Sequence, residues 1–358
     1  MRQILCLSHT HWSSCPSRTQ QLVSRLPGTE ILFFEPPGRK PDPDGRKVRP
    51  NVTVYQLPKT VDLFSGTKPV AQYNRRKITS CVEHAMKRHR FREPLLWCTS
   101  PEHVHQLDCL PHRGLVYDCQ RYWSNLPIQW EGDLAAEADV CFVASDGLMD
   151  RLAPCNQNLA LIPNGVNFPL FRRDLVEAPA DVADLVGKPV IGFVGTLHAD
   201  LDMSPLIQCA DAHPEWTFLL IGSVLRAPYL SHLERRENIR LLGRRPLVDI
   251  PDYLSVCTAC IHLQRKQDED SDVIHYRIYE YMAAGKPMAA MIWKHQRQEY
   301  PDVVHAARTA EQFIRQCEIA MMENPEELLR RRRDYGSAAA WDERAEQIRQ
   351  ILEVNGLY

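Results

Sequence analysis

No stretch of the 358-residue chain approaches the ~18 to 20 consecutive apolar residues that a membrane-spanning helix needs. A secretory leader is missing too. Ile4-Leu5-Cys6-Leu7 is too short for an apolar leader core, and polar Ser8-His9-Thr10-His11 follows at once. The expected location is therefore cytoplasmic. The usual nucleotide apparatus is equally absent: GxxxxGK[ST] does not occur, and Gly192-Phe193-Val194-Gly195 has only two glycines, the first inside an apolar run. Neither a P-loop nor a dinucleotide fingerprint is available, and the GxSxG, HExxH and kinase signatures are missing as well.

What is present is ordinary in bulk. A hydrophobic fraction of 44% and a charged fraction of 25% exclude disorder, collagen-like repeats and coiled coil as the main architecture. The length suggests two domains. Twelve cysteines are scattered through the chain, and without a leader they read as reduced, buried thiols. Cys257 and Cys260 have CxxC spacing but no second pair, which favours a core role over a metal or redox one.

Charge is balanced overall at −2 but segregated. Residues 1–120 hold 18 Lys+Arg against 10 Asp+Glu, whereas the remainder is net acidic. The basic half implies an anionic partner, a phosphate-bearing substrate or an acidic membrane surface; its alternative is a plain solvated face. Much of that charge lies at residues 70–92, around a helix candidate at 70–89, with Arg75, Arg76, Lys77, Lys87, Arg88 and Arg90. The arginines at 330–333 read as a solvated helical face, and no nucleic-acid partner is expected.

Short β-branched runs alternate with amphipathic segments, the pattern of parallel sheets covered by helices. Strands are expected at residues 4–7, 30–34, 52–57, 95–98, 115–118, 140–144 and 159–162. After Pro163-Asn164-Gly165-Val166-Asn167 the alternation restarts, with strands at 190–194, 217–221, 239–242, 259–263 and 288–292. Helices are expected at 18–26, 204–213, 249–255 and 276–284. A helical tail over 310–354 should break at Pro325 and near Gly336. Two α/β units should bind ligands at the carboxyl ends of their strands, in a cleft between them.

The most informative stretch runs from Asp272 to Pro287. Gly285-Lys286-Pro287 ends a helix through a left-handed glycine and a helix-breaking proline. Asp272 and Glu280 stand eight residues apart, about 12 Å if helical, near the reach from a nucleotide's ribose to the sugar on its far phosphate. A carboxylate suits a vicinal diol because both its oxygens accept hydrogen bonds. A helix N-terminus with Arg277 in its first turn suits a pyrophosphate.

Arg277-Ile-Tyr-Glu-Tyr-Met-Ala-Ala-Gly-Lys-Pro287 resembles the donor-binding signature of GT-B-fold, family 4 glycosyltransferases, notably bacterial teichuronic-acid and polysaccharide types. Pro163-Asn-Gly-Val-Asn167 with Phe171, Val190 to Leu197 with Asp202, residues 216–222 and 238–244, and Pro251-Asp-Tyr-Leu254 are similar to successive pieces of that family. So, at the start, are Arg18-Thr-Gln-Gln21, Phe34-Glu-Pro-Pro37, Leu115-Val-Tyr-Asp118 and Ala138-Asp139 to Ser145. The resemblance implies an α/β GT-B fold of two Rossmann-like domains facing across a cleft. Their expected bounds are 1–165 for the acceptor side, 166–335 for the donor side, and 336–358 for a terminal helix returning to the first, with Trp341 and Arg344 at that return.

By the same resemblance Glu280 holds the ribose, Arg277 the diphosphate, and Gly195, Thr196 and Tyr279 complete the donor site. Asp272 takes the place of the family's first acid, one methylene shorter, and Asp118 orients acceptor or sugar; the alternatives are a solvated loop for Asp272 and a cap for Asp118. Together they are the expected catalytic residues. His198-Ala-Asp200 stands where the family has a basic residue, so Arg226, Arg265 or Lys266 is expected to serve the phosphate. His9, His11 and Trp12 follow the first strand, where an acceptor loop belongs. The acidic run Asp268, Glu269, Asp270 contains D-x-D twice, but no oxygen cage surrounds it and no metal is expected.

The implied activity moves a sugar from a nucleoside-diphosphate sugar to a hydroxyl acceptor, lipid-linked or saccharide, with retention and without metal or other cofactor. The basic 70–92 region then suits the inner face of an anionic membrane. A nucleotide-sugar epimerase of the same fold, or a non-catalytic nucleotide-sugar-binding scaffold, are the alternatives.

Overall fold

The computed structural model describes residues 2–12, 16–38, 44–61, 68–173, 177–265, 271–294, 296, 300–323 and 326–358. Lys266, the Asp268 to Asp270 run and Pro325 lie outside the described residues. The chain divides into two compact units, Met1–Pro163 with Asp342–Tyr358, and Asn164–Trp341.

The first unit is built on β1 (Arg2–Leu7), β2 (Thr29–Glu35), β3 (Arg46–Arg49), β4 (Val52–Gln56), β5 (Leu95–Cys98), β6 (Gly114–Cys119), β7 (Val140–Val143) and β8 (Leu159–Leu161). They form one sheet in the order β3-β4-β2-β1-β5-β6-β7-β8, parallel throughout except for β3 against β4. Strands β5, β6 and β7 are buried at every residue, as strands covered on both faces must be. Strand β3 reads Arg-Lys-Val-Arg and has no fully buried residue. Its charges suit an edge position and discourage further pairing. They are also why no apolar run betrays it in the sequence.

The second unit contains β9 (Val190–Val194), β10 (Leu197–His198), β11 (Thr217–Ile221), β12 (Val224–Leu225), β13 (Ile239–Gly243), β14 (Ala259–His262), β15 (Met288–Met291) and β16 (His305–Ala307). Six of them make a wholly parallel sheet in the order β13-β11-β9-β14-β15-β16. Strands β10 and β12 pair separately, prolonging the loops that leave β9 and β11. The sheet's two faces feed two cores: Val190 and Val194 enter one, while Ile191 and Phe193 enter the other, the two-residue period of a strand made visible.

Counted along the chain, the parallel strands of each sheet run 3-2-1-4-5-6, with β8 added beyond in the first. The order reverses between β1 and β5, and again between β9 and β14. In doubly wound sheets the carboxyl ends on either side of that reversal form the ligand crevice of the unit.

The tail forms three helices, Ala310–Met322, Glu326–Ala338 and Trp341–Val354. The tail breaks near Gly336 as expected, after Ala338, but the glycine itself lies inside the second helix. A Cβ there would lie 2.8 Å from the backbone of Ala283, so the glycine serves close helix packing instead. From Asp342 onward the last helix and the residues after it join the first unit: Arg25 pairs with Asp342 at 3.0 Å, and Ile348 and Leu352 are fully buried.

Candidate active site

In the second unit the reversal point is framed by the loops after β9 and β14. Gly195 follows β9 and donates its N–H to Ile221 O at 2.9 Å. Gly222 follows β11, and a Cβ there would fall 1.7 Å from the Gly195 carbonyl oxygen. Only glycine lets these two turns close on each other. Gly195 and Thr196 are consequently held, half-buried, at the carboxyl edge of the sheet.

The helix Tyr276–Ala283 packs against the ends of β9 and β14. Its N-cap is His275, whose Nδ1 accepts the Arg277 N–H at 3.2 Å. Its C-terminus is closed by Gly285 at φ +72°, and Lys286 Nζ donates to the Ser255 and Cys257 carbonyls at 3.2 and 2.7 Å. The Tyr281 hydroxyl accepts the buried Val194 N–H at 3.0 Å, tying the helix to the end of β9. Sequence reasoning passed over Tyr281, Lys286 and the His275 cap. The aromatic run hid the first, and histidine is outside the usual capping set.

Arg277 and Glu280 are one turn apart and both buried, at 7% and 6% exposure, and form an ion pair. Burial pushes the Glu280 carboxyl up from its ordinary range, and Arg277 opposes that rise. Asp272 is buried at 5% exposure, so the solvated-loop alternative is overturned for its side chain. Only the last part of the span from Asp272 to Glu280 is helical, since the helix starts at Tyr276; the 12 Å helical rise does not apply across it. Tyr279 lies in the hydrophobic core rather than at an open edge.

The approach to this helix is held from two sides. Asn164 Nδ2 donates to Ile274 O at 2.9 Å, which gives the Asn-Gly turn a task. Gly165 in that turn has no room for a Cβ, which would meet Ala339 O at 2.6 Å. His262, at the end of β14, stacks on His275 with ring centroids 5.2 Å apart. Burial and Arg265 push His262 down to about 4, and burial with His262, Arg265 and Arg277 holds His275 well below its usual value. Both rings are therefore neutral near pH 7. Of the phosphate-contact candidates, Arg265 is half-buried and bridges Leu201 through its backbone, while Arg226 is exposed with φ +49°. Cys257 and Cys260 are buried against Gly192, where a Cβ would meet Cys257 Sγ at 2.5 Å.

In the first unit Asp118 ends up fully enclosed near the end of β6. Arg18 Nε donates to its Oδ1 at 3.0 Å and Gln120 Nε2 to its Oδ2 at 3.1 Å, while Arg18 Nη1 reaches Pro163 O at 3.0 Å. Asp118 thus fastens the helix Arg18–Val23 to the sheet; it caps no element. Burial raises its carboxyl and Arg18 counters it. Glu35 of the Phe34-Glu-Pro-Pro37 segment accepts the Trp12 N–H at 2.8 Å and two contacts from Arg46 at 3.0 and 3.1 Å. His9 Nδ1 meets Thr99 Oγ1 at 2.9 Å, bringing together the loops after β1 and β5, and burial with Arg121 pushes its ring down to about 4. His11 stays half-exposed beside Glu35.

Arg277, Tyr279 and Glu280 thus share about one turn of helix, with Gly195 and Thr196 at the neighbouring strand end. Asp118 belongs to the other unit.

Residues 204–350 match the family model described as Glycosyl transferase-like. The fold is GT-B: sucrose-phosphate synthase of Thermosynechococcus elongatus superposes at a TM-score of 0.74 with 16% identity, covering 99% of both chains. The chain is a glycosyltransferase of the GT-B kind.

Among individual proteins, TuaH of Bacillus subtilis, assigned as a teichuronic acid biosynthesis glycosyltransferase, is 25% identical over 294 residues, 73% of this chain and 72% of its own. Anabaena HepE, solved in complex with UDP-glucose, is similar in fold at a TM-score of 0.69 and 13% identity, covering all of both chains. No helix among the described residues is long and apolar enough to cross a membrane.

Proposed function

We propose that the chain transfers a sugar from a nucleoside-diphosphate sugar to a hydroxyl acceptor in polysaccharide or glycoconjugate assembly, with retention and without a catalytic metal. The buried Arg277–Glu280 pair carries this reading, because it stands on a helix that opens at the reversal point of the second sheet. In the free protein each charge neutralises the other. On donor binding the ribose diol supplies two hydrogens to the Glu280 carboxylate, and Arg277 is released toward the diphosphate. Gly195 and Thr196 offer backbone at close range, and Tyr279 sets the helix by core packing.

Asp272 then lies next to the donor sugar, and Asp118 keeps the acceptor side in shape through Arg18. The acceptor oxygen bonds to the anomeric carbon as that carbon's bond to the diphosphate breaks. The electrons leave with the nucleoside diphosphate, which also receives the hydroxyl proton. Arg277 stabilises the charge that builds there. A uridine donor is the first to test, given the ligand of HepE. The acceptor is lipid-linked or saccharide. The helix Lys68–His89, with Arg76, Lys77, Lys87 and Arg88 exposed, suits peripheral contact with an anionic bilayer.

Titration calorimetry with UDP-, GDP- and ADP-sugars tests the reading. One class should bind, and Glu280→Gln should lose it. A flat response to all three sinks it.

A further inference from the structure

At the reversal point of the first sheet, the loops after β1, β5 and β6 bring together a cluster whose ligand has not been defined above. The Arg121 guanidinium lies over the Trp123 indole at 5.3 Å, and the His9 ring meets the same indole edge-on at 5.1 Å and 86°. Thr99 holds His9 from the other side, accepting its backbone N–H at 3.0 Å as well as meeting Nδ1. Arg121 forms no carboxylate ion pair among the described residues; its side chain meets the indole and donates to the Tyr122 carbonyl at 3.4 Å. It is also half-buried.

Two further groups at this crevice are short of partners. Trp123 is 7% exposed, and its Nε1 is buried with no acceptor among the described residues. Arg18, 6% exposed and fastened to Asp118 and Pro163, leaves its Nη2 in the same state. Both orphans are donors. Buried donors without acceptors are rare and call for an explanation, and an acceptor-only ligand supplies one. The guanidinium fork matches a carboxylate or a phosphate, and of the two a phosphate keeps further oxygens free for the orphaned donors.

We propose that this cluster is an acceptor subsite for a phosphate-bearing molecule: Arg121 grips the phosphate, Trp123 positions Arg121 and offers its Nε1, Arg18 offers its Nη2, and His9 faces the same group. The phosphate belongs either to a soluble sugar phosphate or to a lipid headgroup. The proposal rests on the transferase reading for the word acceptor, but its chemistry is tested without turnover.

The full chain is titrated calorimetrically with glucose 6-phosphate, inorganic phosphate and glucose, and mixed with phosphatidylcholine vesicles with and without phosphatidic acid. Wild type, Arg121→Gln and Arg277→Gln are compared, and UDP is titrated in parallel. Wild type should prefer glucose 6-phosphate over glucose, or phosphatidic-acid vesicles over neutral ones, by roughly tenfold, the worth of one charge-assisted pair. Arg121→Gln should erase that preference and Arg277→Gln should keep it. Trp123→Phe, which keeps the charge and an aromatic shelf, should lose only part of it.

A preference that survives Arg121→Gln but disappears in Arg277→Gln belongs to the donor helix and overturns the proposal. So does a wild type indifferent to phosphate in both arms. Failure of UDP alone to bind would defeat the donor assignment while leaving the phosphate preference readable.

Discussion

Each unit keeps a buried arginine–carboxylate pair at the reversal point of its sheet, and the two pairs are built in opposite ways. Arg18 and Asp118 are one hundred positions apart, on a helix and a strand, and both carboxylate oxygens are engaged. Opening that pair detaches a helix from its sheet. Arg277 and Glu280 are three positions apart on one helix, so the pair can part by side-chain rotation alone. Long-range pairing makes a fastener; local pairing makes a charge reserve that a ligand can draw on without disturbing the fold.

That contrast breaks first at Asp118. Asp118→Asn leaves Arg18 buried without its counter-charge and should cost about 3 to 5 kcal/mol. Urea unfolding of the full chain checks this, and an unchanged midpoint would erase the distinction. Glu280→Gln should instead act on function, cutting kcat/KM for sugar transfer about 100-fold through the lost diol contacts, with a smaller drop in melting temperature than Asp118→Asn. Third, Gly222→Ala forces a methyl onto the Gly195 carbonyl and should cost about 1 to 3 kcal/mol while weakening nucleotide binding.

A further effect concerns pH, and both units share it. His9 and His262 titrate near 4 when folded, below the 6.5 of the unfolded chain. Between those values the unfolded state binds more protons. Their contribution is therefore fully present above pH 6.5 and is lost as pH falls toward 4. Melting temperature should decline through that window, and His262→Asn should flatten the second unit's share of it.

Much of this was legible beforehand because continuous apolar runs such as Leu95–Cys98 have no other home than a sheet covered on both faces. The helix at Tyr276 was equally readable from Gly285-Lys286-Pro287 at its end. Strand β3 was not, since an edge strand of arginine and lysine carries no apolar signal. Strands β10 and β12, two residues each, are too short to show a period. At the site, residue types exposed the Arg277–Glu280 pair, but enclosure was invisible. Nothing in the letters tells that Asp118 meets Arg18, or that Gly222 exists to let Gly195 approach. Gly336 shows the same limit: the tail breaks near it as expected, yet glycine announces a need for space without saying whether a turn or a neighbour needs it.

The division of the chain also sets an order for synthesis. The second unit is one continuous segment, complete when Trp341 has been made, whereas the first waits for Asp342–Tyr358. At ~5 to 20 residues per second, the amino-terminal strands stand without their closing helix for roughly 10 to 35 seconds on the ribosome. The segment made first is thus finished last, and a nascent chain stalled between Pro163 and Asp342 has every strand of the first unit but lacks Ile348 and Leu352 from its core.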